Sequence, residues 1–232
     1  MENIDSVLPF LVILLPFLFM GGVVVLIIIL VKKRNAELRE RARQMQAASV
    51  TQLGWPYAAE SPLEFFSGHE QFETFSTGHS KEIRNLIHGE REGTRVAVFD
   101  FDYTVGHGKS RTTYSQTILV LESEKLGLPF FSMRPENFLH RIAGAFGYQD
   151  IDFAQRPGFS GFYLLRGQNE LHIREAFAER VLAYYEQNPG LSTDGGGQRL
   201  LCYRQNSKVP PEQLRQFVEW GLGLAKLFQR TY

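Results

Sequence analysis

Thr94 to Leu121 reads TRVAVFDFDYTVGHGKSRTTYSQTILVL, and this stretch decides the fold. Thr94–Val105 is rich in Val, Phe and Tyr, and Arg111–Leu121 in Thr, Tyr, Ile and Val, the side chains that suit a pleated, half-buried surface. Gly106-His107-Gly108-Lys109 between them reads as a turn. Two such runs around a short Gly-containing link predict an antiparallel hairpin. The period of two puts Asp100 and Asp102 on one face with Val96 and Val98. Ala97, Phe99, Phe101 and Tyr103 take the other face.

Downstream, Pro135 opens a predicted helix with Phe138, Ile142 and Phe146 on one side and Gly147 as its stop. Phe159–Leu165 reads as a strand. Asn169 can cap a helix from Glu170 to about Gln187, which Asn188-Pro189-Gly190 ends. Asp194-Gly195-Gly196-Gly197 reads as a loop between short strands, the second being Arg199–Arg204. Pro210-Pro211 opens a last helix with Leu214, Phe217 or Val218, Leu222 and Ala225 on its buried side. Strands cluster and helices follow. The expected class is therefore α+β, a mainly antiparallel sheet packed with about three helices, rather than the strict alternation of a doubly wound fold.

Upstream, residues 61–79 read as a loop whose Phe65, Phe66, Phe72 and Phe75 cover one end of the core, and Gly54-Trp55-Pro56-Tyr57 breaks a helix. Before that, Val7–Val31 is an uncharged run of 25 residues, VLPFLVILLPFLFMGGVVVLIIILV. As a helix it reaches about 37 Å, against roughly 30 Å of bilayer hydrocarbon. It is longer than a signal-peptide core, its leader is acidic, and no Ala-x-Ala follows it. The expectation is an N-terminal transmembrane helix. Glu2 and Asp5 precede the run, while Lys32, Lys33, Arg34, Arg39, Arg41 and Arg43 follow it. Positive flanks stay in the cytoplasm, so the expected location is the cell membrane, single-pass, N-terminus outside and the C-terminal domain cytoplasmic. The plan is then a short extracytoplasmic segment (1–6), the membrane helix (7–31), a basic juxtamembrane helix or linker (32–49) and an α+β domain (50–232).

Charge narrows the function. The chain has 25 basic and 25 acidic residues. Residues 1–49 hold six and four of them, which leaves 19 against 21, or −2, for the domain. A slightly acidic domain lacks the basic footprint of a nucleic-acid binder. Cys202 is the single cysteine, so no intrachain disulfide can form, as suits a reducing compartment.

Three patches carry possible chemistry. Val96–Val105 resembles the nucleophile motif of the haloacid dehalogenase-like phosphatases, an apolar strand ending in Asp-x-Asp-x-Thr. The resemblance implies Asp100 as nucleophile, Asp102 as general acid/base and a Mg²⁺ ion beside them. That motif should close a parallel strand, whereas here a Gly turn and another strand follow. A strand with one aromatic face and one polar end also needs no catalysis. Gly106-His107-Gly108-Lys109-Ser110 resembles the end of a phosphate-binding P-loop, but Tyr103 stands where the first Gly belongs and no helix follows. The histidines, at 69, 79, 88, 107, 140 and 172, show no metal-ligand spacing, so no metal or cofactor is expected on this reading.

The order of motifs carries a broader resemblance. It runs Gly54-Trp55, Asn85-Leu86-Ile87-His88-Gly89, Val98-Phe99-Asp100 and Gly106-His107-Gly108-Lys109. It continues with Gln116-Thr117, Leu128 to Glu136 (LPFFSMRPE), Asp150-Ile151-Asp152-Phe153, Pro157-Gly158-Phe159-Ser160 and Tyr163 to Gly167 (YLLRG). Over roughly residues 50–230 the chain is similar to a family of uncharacterised bacterial proteins that pair one membrane helix with a cytoplasmic α+β domain. The resemblance implies no activity, and so no catalytic residues. The expected function is a membrane-tethered interaction or scaffold module, with the lipid bilayer and a protein as partners and no nucleic acid. Candidate contacts are Lys109, Arg111, Arg134, Glu136, Asp150 and Asp152. Each also has a structural reading: Glu136 suits a helix N-terminus, and Arg134 can pair with Asp150 or Asp152. The alternative function is a Mg²⁺-dependent phosphohydrolase using Asp100 and Asp102.

Overall fold

The structure is a computed structural model that describes residues 4–60, 68, 70–136 and 150–229, with side chains from residue 17 onward. Two compact units emerge, Met1–Gln44 and Met45–Tyr232. The expected helix after Pro135, with Phe138, Ile142, Phe146 and Gly147, lies outside the described residues, as do Phe65, Phe66, His69 and His140.

One helix, α1, runs Ile4–Ala48. Its stretch beyond Val31 is built from Ala, Glu, Arg, Gln and Leu, strong helix formers that carry the helix onward. The transmembrane helix expected over Val7–Val31 is corrected here. Among the described residues, no helix is long and apolar enough to cross a membrane. The apolar side chains described on α1 run from Phe17 to Val31, about 22 Å of helix against roughly 30 Å of hydrocarbon, and three cations follow at once. Residues 7–16 of the expected span have no described side chains.

Among the described residues, the second unit holds one eight-stranded sheet. Its strands are β1 (Tyr57–Glu60), β2 (His79–Arg91), β3 (Thr94–Val105), β4 (Thr112–Glu122), β5 (Leu128–Pro135), β6 (Tyr163–Gly167), β7 (Leu191–Gly197) and β8 (Arg199–Arg204). They lie in the order β1-β2-β3-β4-β8-β7-β5-β6, and every neighbouring pair is antiparallel. The hairpin read from Thr94–Leu121 forms as β3 and β4, with Arg95 opposite Glu122 at one end and Val105 opposite Thr112 at the other.

Both faces of the sheet are buried. Val96, Val98, Leu119, Leu121, Met133 and Cys202 face one core. The helices α3 (Pro157–Ser160), α4 (Glu170–Ala176), α5 (Glu179–Gln187) and α6 (Leu214–Phe228) belong to that core through Phe159, Ile173, Val181 and Val218. Phe99, Phe101, Tyr103, Ile118 and Tyr203 face the other, where the four-residue helix α2 (Glu73–Ser76) sets Phe75 against Phe99 and Phe101. The two faces of β3 are those that the period of two assigns.

Three local expectations change. The helix over Glu170–Gln187 is two helices, because Phe177 leaves the helical path to bury against Phe131, Phe159 and Phe228. The strand expected from Phe159 begins only at Tyr163, since Pro157 starts a helical turn that buries Phe159. The loop expected at Asp194–Gly197 is the end of β7. A Cβ on Gly195 would stand 2.2 Å from the ring of Phe131, so this glycine is a strand residue without a side chain by necessity of packing.

Candidate functional site

Asp100 and Asp102 sit mid-strand in β3, paired with Thr117 and Ser115 of β4. Asp100 is buried, and its oxygens accept from Asn85 Nδ2 at 2.8 Å and Thr117 Oγ1 at 2.7 Å. Asn85 in turn accepts from the Tyr57 hydroxyl at 2.9 Å. Burial first, and the charge of Asp100 second, push the Tyr57 hydroxyl above its ordinary range. Asp102 pairs with Arg84 at 2.6 Å, accepts from Ser115 Oγ, and has Lys208 Nζ at 3.6 Å. The nucleophile of the phosphatase motif stands at the exposed end of a parallel strand. Among the described residues no strand pair is parallel, and protein donors and cations already meet both carboxylates. These two residues do not fit a Mg²⁺ ion, and the phosphohydrolase geometry is absent.

The six candidate contacts do not form one surface. Lys109 and Arg111 are exposed at the β3–β4 tip, in and just after a 3-10 turn over Gly108–Ser110. That turn passes directly into β4, so the P-loop resemblance fails on its missing helix. Asp150 and Asp152 are exposed beside β6, four strand spacings from β4, or about 19 Å. There Asp150 Oδ1 accepts from the Leu165 amide at 2.9 Å, and the Ile151 amide donates to the Leu165 carbonyl at 2.8 Å, closing part of the sheet edge. Although Asp150 is exposed overall, partial burial of its carboxyl pushes it above the usual carboxylate range. Glu136 is exposed, and its amide donates to the Phe162 carbonyl.

Arg134 departs most from expectation. It is 8% exposed and pairs with neither Asp150 nor Asp152. Its guanidinium lies 2.7 Å from the fully buried Asp194 Oδ1, donates to Thr74 Oγ1 and Asp194 Oδ2 at 3.0 Å each, and stacks 5.2 Å from the Tyr203 ring centre. Thr74 also donates both its amide and its hydroxyl to Asp194. Burial works against the charge of Arg134, but Asp194, Tyr203 and Glu73 outweigh it and hold the guanidinium ionised. The pair pins α2 across the sheet. Among the described residues no three His, Cys, Asp or Glu side chains gather as metal ligands. The Cys202 thiol is buried, and burial pushes it far up from its ordinary range, which silences it as a nucleophile.

Beside this network a cleft of about 400 Å³ opens between α2 and strands β5 and β6. Phe72 and Phe130 give it apolar walls, and Glu73, Ser132 and Arg166 reach it. Sequence reading missed it, because its parts come from three separated segments. The one signal was the aromatic pair at the start of LPFFSMRPE, which put one Phe on each face of β5.

Fold and site together define a class: an antiparallel α+β domain with buried ionic networks, following a helix that carries an apolar stretch. No family profile matches the chain, and no curated protein matches it. Among solved structures it is similar to the crystal structure of the mycobacterial trehalose monomycolate transport factor A, TtfA. The TM-score is 0.57 at 15% identity, over 81% of this chain and 91% of that one. At this identity the likeness is one of fold.

Proposed function

We propose that this protein is a membrane-associated interaction or scaffold module that performs no chemistry of its own. The observation that carries the reading is on α1. Phe17–Met20 and Val23–Val31 are between 39% and 76% exposed, a continuous apolar surface that water disfavours. Lys32, Lys33 and Arg34 follow immediately. Basic residues at such a boundary gain about 1 kcal/mol each against an anionic leaflet. That charge pattern supports a cytoplasmic domain. The carboxylates that would carry hydrolysis are instead tied into the sheet. A fold neighbour is described as a transport factor, which agrees with an accessory role. Exposed charge at Lys109 and Arg111, and separately at Glu136 and Asp152, offers two faces to protein partners.

The test is flotation of the full-length chain with vesicles of phosphatidylcholine and phosphatidylglycerol. The wild type floats with lipid. A Val24→Glu, Ile28→Glu variant stays at the bottom of the gradient. Equal flotation of both proteins, or of neither, refutes the membrane reading. Steady phosphate release from a generic ester in the presence of Mg²⁺, lost in Asp100→Asn, refutes the non-catalytic one.

A further inference from the structure

The cleft between α2, β5 and β6 falls within the volume range of small-molecule sites. Its apolar side is unfinished. Phe130 projects from the sheet 46% exposed, with its ring centre 6.2 Å from that of the buried Phe72. Its polar side is unfinished too. Arg166 Nε is shut off from solvent and has no hydrogen-bond acceptor. A shielded guanidinium donor without an acceptor is costly, and a carboxylate is the partner that its fork fits in a bidentate manner.

The charges nearby do not complete Arg166. Glu73 lines the same cleft, but its charge acts on Arg134 and helps hold that guanidinium ionised. Asp150 feels Arg166, yet no ion pair forms between them, and its Oδ1 is taken by the Leu165 amide. The roof is fixed in advance, because Thr74 of α2 is bonded through its amide and hydroxyl to Asp194. The cleft is therefore preorganised rather than formed on binding.

We infer that this cleft binds a small amphipathic monocarboxylate. The apolar body lies against Phe72 and Phe130, and the carboxylate pairs with Arg166. Glu73 selects for the single charge. A phosphate monoester offers the same oxygen geometry but brings a second negative charge toward that carboxylate. The assignment concerns a ligand of the domain and stands apart from membrane association.

Photolabelling of the full-length chain tests it, with a diazirine-bearing benzoic acid and the matching benzamide as probes. The acid labels peptides containing Phe72 and Phe130 at least tenfold more than the amide does, and hexanoate competes. Arg166→Gln lowers labelling by the acid to the level of the amide. Phe130→Ala, at a half-exposed position that the fold tolerates, also removes the label. Unfolding temperatures of both variants establish that the domain is intact. The assignment is overturned by labelling confined to residues 17–31, by equal labelling with acid and amide, by a folded Arg166→Gln that labels as the wild type does, or by inorganic phosphate competing as well as hexanoate.

Discussion

Replacing Asp194 by Ala tests the architecture at its most committed point. Asp194 has no exposed surface, and its carboxylate meets Arg134 at 2.7 Å. The substitution leaves a guanidinium that is 8% exposed without its counter-ion. It also removes the acceptor of the Thr74 amide and hydroxyl. Breaking one side of a buried pair costs about 3–5 kcal/mol. For a domain of this size each kcal/mol lowers Tm by about 2–4 °C, so the expected drop is roughly 6–20 °C. Removing both charges, as Arg134→Met with Asp194→Leu, leaves no buried charge unpaired and restores the part of the loss that the charge carries, while the Thr74 amide still lacks its acceptor. Unfolding of the full-length chain can be followed by emission from Trp55 and Trp220, its two tryptophans. A drop in Asp194→Ala below about 1 kcal/mol, the scale of an exposed pair, refutes the reasoning. So does a double variant as unstable as its single changes added together.

Three other outcomes follow from the same contacts. Asp100→Ala strips the acceptor from Asn85 Nδ2 and Thr117 Oγ1 and lowers stability by about 1–3 kcal/mol in urea unfolding, with no change in phosphate release. Gly78→Ala places a Cβ 2.4 Å from the Thr104 carbonyl oxygen, at a φ of 70° that L side chains rarely adopt. Strain and overpacking together cost about 2 kcal/mol or more, read as a fall in the urea midpoint. Asp150→Asn keeps an acceptor for the Leu165 amide and removes a carboxyl whose proton the folded chain holds more tightly than the unfolded chain does. The wild type therefore loses stability as pH rises through the carboxylate range, from about 4 upward, and the variant does not. The Tm advantage of Asp150→Asn should grow across that window; a flat or shrinking difference contradicts the direction of the shift.

Legibility in the sequence followed the range of the physics. The β3–β4 hairpin was readable because its signals are local: β-branched and aromatic runs, alternation, and a glycine turn. The cap on α4 was readable for the same reason, and Asn169 does accept from the His172 amide. The break at Phe177 was not, because a continuous apolar stripe suits one helix as well as two. Only the pocket of rings around Phe177 decides between them. Asp194-Gly195-Gly196-Gly197 carries the composition of a loop, yet the sheet needs Gly195 and Gly196 bare so that the rings of Phe131 and Phe130 can lie across it. Arg134 reads from the sequence as an exposed contact residue. Its partner stands 60 residues away, and no periodicity joins the two. The apolar run on α1 was the loudest signal in the chain, and its reading as a membrane span is the one that the described helix does not sustain.

The central claim is that the apolar stretch of α1 is covered by lipid. The direct measurement is an environment-sensitive fluorophore on Leu26→Cys in the full-length chain. The native Cys202 is fully buried and stays unlabelled. A second protein labelled through Leu171→Cys, on an exposed position of the domain, reports non-specific adsorption. On anionic vesicles the label at position 26 should shift to the blue and be quenched by lipids carrying a spin label in their acyl chains, while the label at 171 does neither. A label at 26 that keeps its emission in water and escapes the acyl-chain quencher contradicts the account.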